Sequence, residues 1–190
     1  MAIDILQLLS KFKDINNFHF EGRSFYTNVP SIAPKAYLYT VYDPIKNDII
    51  ESLGFTNDIQ EFYSKYNGAS LFIGGINIYG VHKEGQLLHR GDWRRKQPLN
   101  LVEINKELFG GKFDKDFIAI GSYGYDKSRV LLEVQSGNII CCIQDNIKNE
   151  RKRWDSFEIW LTEEIERLST FFDEDGNRIK PEEEMLPQML

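Results

Sequence analysis

The chain has 190 residues, 42 % of them hydrophobic and 27 % charged, which suits one domain whose core needs no disulfide or metal staple. Its formal charge of −6 excludes the broad basic footprint of a nucleic-acid binder. No apolar run approaches the roughly 18 residues of a membrane span, and the opening MAIDILQLLSKF is too short and too interrupted by polar residues for a secretory signal, so a soluble cytoplasmic protein is predicted.

In chain order, Ile5, Leu8, Leu9, Phe12 and Ile15 mark an amphipathic helix over Ile3–Asn16. A loop-rich stretch broken by Pro30, Pro34 and Pro44 follows, with a strand predicted over Ala36–Tyr42. Ile59, Phe62, Tyr63 and Tyr66 then fall at i, i+3, i+4 and i+7, one face of a helix. Asn57 is placed to cap it, and Asn67-Gly68 supplies the left-handed residue that ends it. Short apolar runs, Leu71–Ile73 and Ile76–Tyr79, are split by Gly74-Gly75 and read as two strands. Gln86–His89 is predicted as another short strand, and His89–Lys96 is the one basic cluster, read as an exposed loop or a contact for an acidic surface or phosphate.

Asn100–Phe109 reads as a helix ended by Gly110-Gly111. Phe117–Ile120 is a buried strand running into Gly121. Arg129–Val134 and Asn138–Ile143 form a hairpin turning at Ser136-Gly137. A last helix is predicted from Asp155, with Glu158 completing a capping box. Phe157, Trp160, Leu161, Ile165, Leu168 and Phe172 form its inward stripe, and Glu163, Glu164 and Glu166 are read as facing outward. The ending, Asp173–Leu190, contains Pro181 and Pro187 and is expected to be a loosely held acidic tail. From Arg151 onward there are 6 Lys/Arg against 11 Asp/Glu, a net −5 out of the total −6.

No constellation carries catalysis. His19, His82 and His89 lack metal-ligand spacing, and neither a Gly-rich phosphate loop nor a nucleophile elbow around Ser122 is present. Asp173, Asp175, Asn177 and Glu184 sit at calcium-loop spacings, but Arg178 occupies the position that requires Gly. Cys141 and Cys142 are adjacent in a strand, so one thiol is expected in the core and one outside. No catalytic residue, metal or cofactor is predicted. Strands in the middle and helices at both ends indicate α+β, a central mainly antiparallel sheet flanked by helices.

Three ordered segments carry a resemblance: EFYSKYNGASLF (Glu61–Phe72) followed by INIYG (Ile76–Gly80), FIAIGSYGYD (Phe117–Asp126), and WDSFEIWLTEEIERL (Trp154–Leu168). Together the set resembles the SUKH superfamily, the Smi/Knr-type domains common among bacterial immunity proteins, most clearly over Thr56–Phe172. One SUKH-like domain over residues 1–172 with the tail at 173–190 is the organisation implied. Where that family often has more Gly and Asp after Gly121, this chain has Tyr123 and Tyr125, and Met1–Phe55 has no residue-level match.

The resemblance implies a non-enzymatic protein that binds and neutralises a cognate toxin domain, often a nuclease, without a cofactor, without contacting nucleic acid directly and without a membrane. The alternatives are a regulatory protein–protein scaffold of the same superfamily and an unrecognised enzyme. Because aromatic anchors dominate interface energetics and acidic surfaces steer basic partners, the partner-binding candidates are Trp93, Tyr123, Tyr125 and Asp126, with Glu163 and Glu166 on the acidic face of the last helix.

Overall fold

The computed structural model describes residues 4–11, 19–21, 24–26, 39–44, 48–82, 98–143, 146–173 and 177–187. Its helices are α1 (Ile5–Ser10), α2 (Asp48–Ser52), α3 (Asn57–Lys65), α4 (Leu101–Leu108) and α5 (Phe157–Ser169). Its strands are β1 (His19–Glu21), β2 (Ser24–Tyr26), β3 (Tyr39–Val41), β4 (Ala69–Leu71), β5 (Ile76–Ile78), β6 (Phe117–Tyr123), β7 (Arg129–Glu133), β8 (Ile139–Cys142) and β9 (Glu150–Trp154). Strands β3 to β9 form one seven-stranded sheet in sequential order, and every neighbouring pair is antiparallel. The architecture is α+β. β1 and β2 pair separately as a two-stranded sheet.

Register sorts the sheet into two faces, because side chains alternate along each strand. One face carries the cross-strand rows Tyr39–Leu71–Ile76–Tyr123 and Val41–Ala69–Ile78–Gly121–Val130–Cys141, and the opposite face carries Thr40–Ser70–Asn77–Ser122–Arg129–Cys142. The apolar face takes α5, with α3 packed against it. Phe62 of α3 meets Phe157 of α5 edge-on at 5.3 Å, and the Trp160 indole N–H donates to the Tyr123 hydroxyl at 3.2 Å. Ile5 and Leu9 of α1 belong to the same core.

Two asparagines close the sheet where strands run out. Buried Asn67 donates to the Val81 carbonyl and accepts from the Val81 N–H, both at 2.8 Å, so it stands in for one strand residue. Asn105 on α4 does the same for Ala119 of β6, also at 2.8 Å each way. Gly68 adopts φ 88°, and a Cβ there would lie 2.5 Å from the Ile78 carbonyl oxygen, so only glycine fits this helix exit.

Several expectations are corrected. α3 is capped at Thr56 rather than Asn57, without a side-chain cap bond, and α5 is capped by Ser156, whose hydroxyl accepts from the Ile159 N–H at 3.2 Å. β9 was not anticipated, since Glu-Arg-Lys-Arg-Trp has the charge of an edge strand. Cys141 and Cys142 do face opposite ways, yet both are fully buried, so neither side of β8 is open to solvent at this point. Glu164 points inward and is fully buried; it sits four residues after Trp160 and three after Leu161, on the core stripe. The described part of the tail is docked, with Met185 buried. The first helix is described only over Ile5–Ser10, while the Gln86–His89 strand and the His89–Lys96 cluster lie outside the described residues.

Candidate protein-interaction surface

At one end of the sheet the β4–β5 turn (72–75) and the β6–β7 turn (124–128) meet backbone to backbone. The Gly124 N–H donates to the Gly75 carbonyl at 3.2 Å, and a Cβ on Gly124 would collide with the Gly74 carbonyl oxygen. Phe72 and Ile73 hold φ 56° and 58°, the left-handed region that penalises side chains. Phe72 is pulled into the core, packing edge-on to Tyr39 at 5.2 Å and stacked on Phe172 at 5.6 Å. Anchoring Phe72 inward sends the next residue out, and Ile73 is 49 % exposed. On the other side of the glycine contact Tyr125 is 43 % exposed.

The β6–β7 turn is braced from two directions. Asp126 accepts from the Ser128 N–H at 2.8 Å and pairs with Arg151 at 3.2 Å. Arg151 is the extra residue of a bulge in β9, since Cys141 registers with Lys152 and Cys142 with Glu150, and a bulge re-aims its side chain. Arg151 also reaches the Pro187 carbonyl at 3.5 Å. The tail is clamped by Arg167, which donates to the Glu184 and Met185 carbonyls at 3.2 and 2.7 Å while pairing with buried Glu164 at 2.6 Å. Met185 fills the notch over Gly75, where a Cβ would strike its terminal methyl. Glu183 and Glu184, exposed, immediately precede the docked Met185 in this clamped segment.

The sequence profile of the SMI1/KNR4 family (SUKH-1) matches residues 47–163. The chain belongs to the SMI1/KNR4 family. No curated protein and no solved structure matches it. The matched span of this SUKH-1 domain runs from α2 into α5 and takes in both turns, whereas β3 and the docked tail lie outside it.

The residues singled out from sequence separate cleanly in the SUKH-1 structure. Tyr125 is exposed at the turn, and Asp126 is half-buried and committed to bracing it. Tyr123 is corrected: it is 1 % exposed, registers with Ile76 on the core face, and cannot be a surface anchor. Burial, and then the nearby Glu164 charge, hold its hydroxyl well above the usual tyrosine range. Glu163 accepts from the Trp154 indole at 2.9 Å and Lys152 at 3.2 Å, so it ties α5 to β9. Glu166 is exposed on α5, and Trp93 lies outside the described residues. Ile73 was missed as a surface residue. Its signal was the unbroken apolar run Leu71–Ile73, which cannot alternate between faces.

Among the described residues, no group of three or more His, Cys, Asp or Glu side chains could hold a metal ion. Burial pushes the Cys141 thiol upward, the opposite of an activated nucleophile. Ionised carboxylates go into fastening elements: Glu133 is lowered by the Ser136 hydroxyl and by Arg153 at 3.0 Å. Among the described residues no helix is long and apolar enough to cross a membrane.

Proposed function

We propose that this SUKH-1 domain is a non-enzymatic immunity protein of the cytoplasm that binds a cognate toxin domain and neutralises it. The observation that carries this reading is the family match over residues 47–163, through the role that the superfamily resemblance implies. The charge of −6 supports a basic partner, such as a nuclease whose phosphate-binding cleft an acidic protein can occupy. Protection then needs only occupancy of the toxin, with no bond made or broken by the immunity protein.

The test is co-expression of the full chain with the toxin domain encoded beside its gene. Growth restored to the toxin-expressing cells, together with a stoichiometric complex on size exclusion, is the expected result. Unrelieved toxicity with no complex would overturn the reading.

A further inference from the structure

We propose that Ile73 and Tyr125 form the apolar anchor of the partner interface, seated in a shallow apolar pocket ringed by Lys and Arg on a basic protein; this rests on the toxin-binding reading above. Three observations converge on the pair. Ile73 is a β-branched residue at φ 58°, where Gly or Asn sits more comfortably, and it is half exposed. A strained backbone that turns an apolar side chain toward solvent gains nothing for the core, and strain of this kind concentrates at functional sites.

The pair is also held rigidly. Phe72 is locked between Tyr39 and Phe172, Gly124 bonds to Gly75, and Asp126 is tied to Ser128 and Arg151. Little ordering remains for binding to impose, and such preorganised side chains make effective hot spots.

Charge selects the occupant. The Asp126–Arg151 pair is internally neutral, and Lys127 is the exposed cation of the β6–β7 turn. Against it stand Glu183 and Glu184, presented by the tail that Arg167 clamps beside the β4–β5 turn. An apolar centre with an acidic border complements a basic surface and disfavours a second copy of this acidic chain.

Calorimetric titration of a catalytically dead form of the adjacent toxin domain tests the assignment, using the full chain and three variants. Ile73→Asn is expected to weaken binding about thirtyfold or more and Tyr125→Ser about tenfold or more, as hot-spot truncations do. Ile159→Ser removes a comparably exposed apolar side chain, 40 %, near the opposite end of the sheet, and should leave affinity within about threefold. Thermal melts separate binding from folding: Asn tolerates the left-handed conformation, so Ile73→Asn should keep or raise the Tm. No binding by the unaltered chain sinks the toxin reading. Binding that Ile73→Asn and Tyr125→Ser leave intact sinks this surface alone, and a Tm fall beyond about 4 °C for Ile73→Asn sinks the strain argument.

Discussion

Replacing Arg167 by Met probes the clamp that joins the last helix to the tail. Glu164 is fully buried while the Arg167 side chain is 26 % exposed, and they meet through three hydrogen bonds of 2.6 to 3.2 Å. Two further donations go to tail carbonyls at Glu184 and Met185. Removing one partner of a buried pair leaves an uncompensated charge and costs about 3–5 kcal/mol. The partial exposure of Arg167 lets water reach the vacated site, so the lower end, about 3 kcal/mol, is expected. For a chain of this length that corresponds to a Tm drop of roughly 6–12 °C. Urea unfolding measures it through a lower midpoint with an unchanged slope. Adding Glu164→Gln removes the stranded charge and should return about half of the loss, giving a coupling of at least about 1 kcal/mol in the double-mutant cycle. The Arg167→Met chain should also be cut by protease in the tail sooner than the unaltered chain. A loss below about 1 kcal/mol with unchanged tail cleavage would refute the clamp.

Asn67→Ala removes both bonds to Val81 and strands a buried N–H and C=O, an expected loss of about 2–4 kcal/mol in urea unfolding. Asn67→Asp keeps only the acceptor and should also destabilise; a neutral result for both would show that water replaces the amide. Burial pushes the Tyr42 phenol up to about 12 and likewise raises Tyr39, Tyr63, Tyr66 and Tyr123. Because these folded values lie above the unfolded value of about 10, their stabilisation is complete below pH 10 and lost as pH climbs from 10 through 12. Urea midpoints should therefore hold steady from pH 7 to 8 and begin to fall above about 8.5, where the buried Cys141 thiol would ionise only on unfolding. They should fall more steeply above 10, with the absorbance of the buried phenolates rising only as the chain unfolds. Phenolates that form fully while the chain stays folded would contradict the burial.

Elements with a regular period were readable from the residues. The stripe Ile59–Phe62–Tyr63 is buried on α3 as its spacing required, and the hairpin of β7 and β8 forms where Ser136-Gly137 placed it. The misreadings share a cause. Glu164 has a carboxylate that local chemistry assigns to solvent, but its position on the Trp160–Leu168 stripe buries it once Arg167 can follow it in. Tyr123 and Tyr125 looked equivalent, yet β6 ends at Tyr123, so one is the last core residue of a strand and the other belongs to the turn. β9 was hidden because four of its five residues are charged, and its three cations, Arg151, Lys152 and Arg153, pair with Asp126, Glu163 and Glu133, carboxylates brought from elsewhere in the chain.

What the residues determine by themselves is the inventory: which stretches coil, which extend, where glycine permits a turn, and the kind of domain they build. These follow from contacts within a few positions, which the order of side chains states directly. What only the tertiary structure decides is the character of the surface. Ile73 projects because Phe72 finds Tyr39 and Phe172, and the tail lies down because Arg167 finds its carbonyls. Those partners are far away in sequence, and which side of a turn faces water depends on where the turn docks.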